Sequence, residues 1–243
     1  MCNNSSVTRY TKFSVLENTG LVKAGFTLKG EWNFALLAQE LGVVPERTIF
    51  PFERKHTNHV QKVSFVHGGE GTVKPQKYLL DTDGMVTDES GLALLLTVAD
   101  CAAVYFVDPV HKCIGIAHSG REGTRQNIVA VTMKMLGDCY GTRPQDVVAA
   151  VSPCICQDCY EVDAGTAEKY LSDLPQEWRQ QVAYRRGEKY YLNIARTIYL
   201  QLRALGVTQI QMSEYCTKHS GLFYSYREMG ELVKQNVAWL MLE

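Results

Sequence analysis

Two apolar segments lie almost end to end in the middle of the chain, at residues 92–98 and 102–107. Neither segment alternates polar and apolar residues, so each is typical of a β-strand that is buried on both faces. Residues 113–117 and 147–151 have the same character. The chain is therefore expected to build a buried central sheet.

Apolar residues at helical spacing alternate with these strands along the chain. The predicted helices are 33–41, 127–136, 164–171 and 191–205. Further strands are predicted at 21–27, 60–66, 210–215 and 223–226. Because no linker or repeat divides the 243 residues, the sequence predicts one α/β domain over residues 1–243. We expect a sandwich with a central mixed β-sheet flanked by helices.

The charge of the chain limits its partners. There are 25 Lys and Arg residues against 26 Asp and Glu residues, for a net charge of −1. Such a balance gives no electrostatic basis for binding nucleic acid or an anionic membrane. No apolar run approaches the roughly 20 residues of a membrane-spanning helix, and the first ten residues show no secretory signal. The sequence predicts a cytoplasmic protein with a small-molecule substrate.

The eight cysteines are unusual for such a chain. They are Cys2, Cys101, Cys113, Cys139, Cys154, Cys156, Cys159 and Cys216. In the cytoplasm they are expected to stay reduced and to act as buried apolar groups, nucleophiles or metal ligands. Cys156-x-x-Cys159 has the spacing of a metal or redox motif, but only Cys216 is available to complete it.

The most informative polar residues interrupt the apolar strands. Asp100 and Cys101 lie between two of them, and His118 lies between a strand and a helix. His56 and His59 precede another strand. A thiolate with two imidazoles suits zinc or copper and leaves a fourth zinc position open for catalysis. From the residues alone, either His56 or His59 could be the third ligand.

Several segments together resemble the DUF152 family of laccase-domain proteins, also called bacterial multicopper polyphenol oxidoreductases. The resemblance extends from about residue 24 to the C-terminus. The matching segments are 57–60, 83–87, 98–101, 118–123, 152–162 and 223–227. The order and spacing of these segments together are specific to the family, whereas any one segment alone would be weak evidence for it.

The resemblance implies a zinc-dependent purine nucleoside enzyme. It implies phosphorolysis of adenosine, inosine or guanosine, and deamination of adenosine. It assigns the zinc ligands to His59, Cys101 and His118, so that His59 is preferred over His56. It also implies that the Cys154, Cys156 and Cys159 cluster is structural and holds no metal.

Further site residues are expected around the predicted metal. The candidate catalytic residues are Cys101, as a thiolate ligand, and Asp100, as a base or a residue that orients a ligand. Arg227 and Lys29 are candidate anion contacts, because they are cations near the expected phosphate site. Tyr160 is a candidate for stacking on a purine base.

The chain departs from the family pattern at several cations. The family's Trp-Arg pair is replaced by Arg121-Glu122, and two further arginine-containing segments are missing. Arginine is the preferred bidentate phosphate ligand. The loss of these arginines therefore weakens the expectation that the chain uses phosphate and shares the family's substrates.

Three alternative functions remain open. A copper-dependent polyphenol oxidase would need more histidines than the six of this chain, which are His56, His59, His67, His111, His118 and His219. A peptidoglycan-precursor editing hydrolase is implied by some bacterial members of the family. A non-enzymatic, zinc-stabilised binding module would show a closed coordination shell rather than an open one.

Overall fold

The structure is a computed structural model that describes residues 9–52, 54–232 and 234–243. Cys2 and the rest of the segment 1–8 lie outside the described residues, as do residues 53 and 233. No helix in the described part of the chain is long and apolar enough to span a membrane.

Fourteen strands are found in the described residues. They are β1 (Tyr10–Thr11), β2 (Val22–Thr27), β3 (Thr48–Ile49), β4 (Val60–Lys62), β5 (Gly84–Thr87), β6 (Ala93–Val98), β7 (Ala102–Asp108), β8 (Cys113–Ser119), β9 (Val148–Val151), β10 (Glu161–Val162), β11 (Ala183–Arg186), β12 (Lys189–Leu192), β13 (Gln209–Met212) and β14 (Asn236–Leu242). The α-helices are α1 (Ser14–Glu17), α2 (Phe34–Leu41), α3 (Arg121–Arg125), α4 (Ile128–Tyr140), α5 (Ala164–Ser172), α6 (Gln176–Val182), α7 (Ile194–Leu205) and α8 (Tyr226–Met229).

The strands form two large mixed sheets and one small sheet. The first large sheet has the order β1-β2-β14-β6-β3, and the second has the order β13-β9-β7-β8-β5-β4. Each large sheet contains both parallel and antiparallel pairs. A small antiparallel sheet, β10-β12-β11, lies beside them. The predicted α/β class with mixed sheets flanked by helices is confirmed, although two large sheets replace the single central sheet that was expected.

The layers explain why the central strands are buried at every position. Alternate residues of β6 and β7 point to opposite faces, and all of them are buried. Leu94 and Tyr105 meet in the core between the two large sheets. Phe106 faces the opposite side, where α4 and α7 cover the second sheet. Leu95 packs in a smaller cluster with Leu37 of α2.

Several predicted elements differ from the structure. The strand expected at 223–226 is wrong, because Phe223 packs in the core and Ser225 caps α8 through a hydrogen bond from the Glu228 N–H. The helix expected from residue 191 begins only at Ile194, since the preceding residues form β12. No prediction covered β14, which is the middle strand of the first sheet.

Candidate metal centre and active site

The site lies at one end of the second sheet, where β7 begins and β8 ends. The two strands are antiparallel, and Ala102 pairs with Ser119. Cys101 directly precedes β7, while His118 lies at the end of β8. Antiparallel pairing therefore brings Cys101 and His118 together although they are distant in sequence.

His56, Cys101 and His118 form a group of possible metal ligands. One ligand atom from each residue lies within 4.8 Å of the others. The two imidazole rings meet edge to face with their centroids 4.8 Å apart. His118 is buried, Cys101 is partly buried and His56 is exposed, so the group opens towards solvent on one side.

Asp83 orients this group from behind. His118 Nδ1 donates to Asp83 Oδ1 at 2.8 Å. The Thr57 N–H and hydroxyl both donate to Asp83 Oδ2, at 2.7 and 3.0 Å. Because the carboxylate can only accept, the proton of His118 is placed on Nδ1 and the Nε2 lone pair faces the group. A carboxylate behind a histidine ligand is typical of metal sites.

The ionisation of His118 and Cys101 fits metal binding. Burial lowers the pKa of His118 to about 4, against a smaller opposing effect of its hydrogen bond to Asp83. The imidazole is therefore neutral, as a ligand must be. Burial, followed by the charge of Asp100, raises the pKa of Cys101 to about 12. Without a cation Cys101 is a thiol rather than a nucleophile, and a bound metal would favour the thiolate.

Gly120 provides the space in front of the ligands. A Cβ atom at this position would lie 2.8 Å from Cys101 Sγ and 3.6 Å from His118 Nε2. The φ angle of Gly120 is −80°, so backbone freedom does not require glycine here. The absence of a side chain leaves the region between the ligand atoms open, and three soft or borderline donors around it fit a zinc ion.

The position of His59 differs from the expectation. The carbonyl of His59 accepts hydrogen bonds from the N–H groups of Asp83 and Gly84, at 2.9 and 3.1 Å. This pairing holds the His59 backbone at the start of β4, and its exposed ring is outside the ligand group. The backbone of His56 has a left-handed φ of 57°, and the following Thr57 is anchored on Asp83. The turn at His56 therefore supplies the third possible ligand, whereas His59, the expected ligand, lies outside the group.

A cleft opens directly onto Cys101 and Gly120. Its volume is ≈ 210 Å³, which is smaller than the roughly 300–1,000 Å³ of typical small-molecule sites and leaves room for part of a ligand. The lining residues are Ala99, Asp100, Cys101, Gly120, Arg121, Ile155, Tyr160, Ile194, Tyr226 and Arg227. Aromatic and aliphatic walls with two arginines suit a ligand that has both a flat apolar part and an anionic part.

Asp100 shapes the rim of this cleft. Its φ is +83°, a left-handed conformation that is uncommon for a residue other than glycine. Asp100 Oδ1 accepts from the Thr217 hydroxyl at 2.6 Å, and Oδ2 accepts from the Arg227 N–H at 2.7 Å. Both oxygens are therefore engaged in holding neighbouring loops.

The two arginines and Tyr160 lie on the same cleft. The Arg227 guanidinium lies 5.3 Å from the Tyr160 ring centroid and donates to the Glu161 carbonyl at 2.8 Å. Arg121 donates from Nε to Glu122 Oε1 at 3.3 Å. Arg121 therefore places a cation on the cleft, one position before the arginine that the family resemblance implied.

Lys29 does not lie with these residues. It is outside the set that lines the cleft, and its ammonium group pairs with Glu228 at 3.7 Å. Lys29, an expected anion contact, therefore does not share the cleft with Arg227, whereas Arg121 does. Sequence reasoning also missed Asp83 as the partner of His118, although Asp83 lies in one of the matching segments.

A family model described as multi-copper polyphenol oxidoreductase laccase matches residues 18–242. The chain belongs to this family. The family resemblance inferred from the sequence is thus confirmed, and the family description associates its members with copper. The described residues contain two groups of possible metal ligands, of which His56, Cys101 and His118 form one.

Curated relatives in this family carry the name of an enzyme. The purine nucleoside phosphorylase YlmD of Bacillus subtilis is 33% identical over 72% of this chain, and the match covers 64% of that protein. The chain thus spans just under two thirds of the length of this relative. The protein of the same name from Geobacillus stearothermophilus is 33% identical, with 73% of this chain and 68% of that protein covered.

A solved structure has the same fold over its full length. The Bacillus licheniformis hypothetical protein YfiH matches with a TM-score of 0.89 and 25% identity, and the match covers 100% of both chains. The double-sheet architecture is therefore shared with a crystal structure from the same fold family.

Proposed function

We propose that this chain is a zinc-dependent purine nucleoside phosphorylase. The observation that carries the proposal is the grouping of His56, Cys101 and His118 at the edge of a cleft that also contains Arg121 and Arg227. The names of the curated relatives supply the reaction class, and the cleft supplies matching chemistry for a nucleoside and an anion.

Zinc fits the ligand group better than a multicopper centre does. Two imidazoles and one thiolate leave the fourth position open to the cleft, as in catalytic zinc sites. The two ligand groups in the described residues include only three histidines, His56, His118 and His219. A copper oxidase with several metal ions would need more imidazoles around one centre, and a closed binding module would not open on a cleft.

Zinc at this position would act as a Lewis acid that polarises a bound oxygen and makes water more acidic. The protein's own residues bind and orient the reactants. Asp83 holds His118 in the ligand tautomer. Arg121 and Arg227 lie where they can bind phosphate through paired N–H donors, and Tyr160 offers a ring face to the purine.

Phosphorolysis requires a phosphate oxygen to form a bond with ribose C1′ while the C1′–N9 bond breaks. The bonding pair leaves with the purine, which takes up a proton, and the products are free base and ribose 1-phosphate. Positive charge develops on the sugar in the transition state, and the anion held by the arginines lies against it. Asp100 acts as a positioning residue, since its oxygens hold Arg227 and Thr217.

Adenosine deamination is proposed as a second reaction of the same site. Water adds at purine C6, and the exocyclic nitrogen leaves as ammonia to give inosine. The reaction needs acidified water close to the base and no phosphate, so the two activities differ in their phosphate requirement.

We also propose that the protein works in the cytoplasm. All seven cysteines in the described part of the chain are free thiols, which is the state that cytosolic reductants maintain.

The proposal is tested by incubating the zinc-loaded protein with adenosine, inosine or guanosine, with and without phosphate. We expect free base and ribose 1-phosphate only with phosphate, and inosine from adenosine in both conditions. Cys101→Ala should lose these products and one equivalent of zinc. Cys139→Ser, a change on α4 outside both ligand groups, is the matched control.

If the zinc-loaded parent forms neither free base nor inosine, or if Cys101→Ala behaves like the parent, the proposal is wrong. Stoichiometric copper with visible absorbance would favour the oxidase instead.

A further inference from the structure

A second group of possible ligands lies outside the ligand group at His56, Cys101 and His118. It consists of Cys156, Cys159, Cys216 and His219, and one ligand atom from each lies within 4.8 Å of all the others. Cys216 is buried, Cys156 and Cys159 are partly buried, and His219 is exposed. Neither the proposed reaction nor the cleft uses these four side chains.

Two short turns of equal length present the four ligands. Cys156-x-x-Cys159 forms one turn, and Cys216-x-x-His219 forms the other. The Cys156 N–H donates to Cys216 Sγ at 3.3 Å. Backbone donors to sulfur stabilise thiolates, as a metal site requires.

A β-bridge fixes the two turns relative to each other. Cys154 and Cys216 are paired in a parallel bridge, and the Thr217 N–H donates to the Cys154 carbonyl at 3.1 Å. The ligands are therefore held by backbone pairing rather than by flexible surface loops.

The distances match a tetrahedral ion. Zn–S and Zn–N bonds of about 2.3 and 2.0 Å at tetrahedral angles place sulfur and nitrogen about 3.5 Å apart. His219 Nδ1 lies 3.4 Å from Cys159 Sγ and 3.7 Å from Cys156 Sγ.

We propose that Cys156, Cys159, Cys216 and His219 bind a second zinc ion with a structural role. Three thiolates and one imidazole complete a tetrahedron with no position left for water or substrate, which is the ligand pattern of structural zinc. This proposal differs from the expectation, implied by the family resemblance, that the cysteine cluster holds no metal.

The second site is adjacent to the wall of the cleft. Ile155 and Tyr160 flank the first turn, and both line the cleft. Thr217, in the second turn, donates its hydroxyl to Asp100. The zinc would therefore fix the position of these three residues. Any effect on catalysis rests on the proposed function, whereas binding of the metal does not.

The test is zinc content after chelation and reconstitution of the full chain under reducing conditions. We expect two zinc ions per parent chain and one in His219→Ala, whose exposed side chain can be removed without opening the core. His219→Cys, which offers a fourth thiolate, should restore the second ion. Cys139→Ser should keep both ions, and Cys101→Ala should lose only the other one.

Cobalt substitution identifies the ligands directly. Co²⁺ in the Cys101→Ala variant should give the intense thiolate charge-transfer bands of a tetrahedral site, and these should disappear in a Cys101→Ala, Cys159→Ser double variant. His219→Ala should also have a lower unfolding temperature than the parent and Cys139→Ser.

The proposal is overturned if His219→Ala and Cys159→Ser retain the full zinc content of the parent. It is also overturned if Cys101→Ala contains no zinc or cobalt, or if the cluster holds iron in place of zinc. None of these results depends on nucleoside turnover, so a failure here is distinct from a failure of the proposed reaction.

Discussion

Asp83 and Gly120 shape the candidate metal centre as much as its possible ligands do. Asp83 joins His118 to the turn that carries His56, through hydrogen bonds to both. Gly120 leaves open the space that the ligand atoms surround. Neither residue belongs to the ligand group, and although both lie in segments that match the family, the sequence does not show what they contact. Their roles depend on the pairing of β7 with β8.

Substitution of Gly120 by alanine is predicted to block the metal centre. The added Cβ would lie 2.8 Å from Cys101 Sγ, so the thiolate must shift or the metal cannot enter. We expect one equivalent of zinc to be lost, with the unfolding temperature little changed. Gly30→Ala is the control, since its Cβ would meet its nearest neighbour at 3.7 Å. Equal zinc content in the two variants would contradict the prediction.

Stability of the metal-stripped protein is predicted to fall on mild acidification. Burial lowers the pKa of His118 from 6.5 to about 4, so between these values the unfolded chain binds a proton that the folded chain does not. The contribution is fully present above about pH 6.5 and is lost progressively down to about pH 4, by about 3 kcal/mol. Urea unfolding across this range measures it.

His118→Gln should flatten this part of the pH profile, because glutamine does not titrate. An identical pH dependence in the parent and the variant would show that another group is responsible.

The choice between His56 and His59 shows the limit of sequence reasoning at single residues. Cys101 and His118, which the structure brings together, were selected because they interrupt apolar strands. The third possible ligand in the structure, His56, lies in a turn three residues before His59, the position that motif alignment suggested. The direction of a side chain in such a turn depends on its backbone angles and on its contact with Asp83, which the sequence does not show. The position of His219 beside the cysteines was likewise not predicted. The spacing Cys216-x-x-His219 repeats that of Cys156-x-x-Cys159 and could have indicated it.

The secondary structure elements that carry the site were largely predictable. β6, β7, β8 and β9 were recognised from their apolar composition, and α2 and α4 from their helical spacing. β14 was missed, although its seven residues are all buried, because an apolar run can belong to a strand or to a buried helix. Its identity as a strand follows from pairing with β2 and β6.

Gly25 is predicted to be essential for the packing of β14 on β2. It pairs opposite Trp239, and a Cβ atom at Gly25 would overlap the indole ring. We expect Gly25→Ala to lower the free energy of unfolding by about 1–3 kcal/mol, the usual cost of overpacking a core. Denaturant unfolding measures this, with Gly30→Ala as the matched change. No difference between the two variants would refute the assigned contact.

At the level of the whole molecule, two large sheets share one core, and helices cover the outer face of each. The sequence predicted the class and the alternation of elements. It could not predict two sheets, since a strand with every residue buried does not reveal which layer each face contacts. The candidate metal centre and its cleft lie where β7, β8, the His56 turn and the loops at 155–160 and 226–227 meet. The site therefore depends on distant parts of the chain.

Zinc content and phosphate-dependent cleavage of inosine, measured together in His56→Ala and His59→Ala, test this assignment most directly. The two substitutions remove the same side chain three residues apart, and only His56 lies in the ligand group. We predict that His56→Ala loses one zinc and at least 10-fold in kcat/KM, whereas His59→Ala keeps both close to the parent. The reverse pattern, or loss in neither variant, would contradict the assigned metal centre.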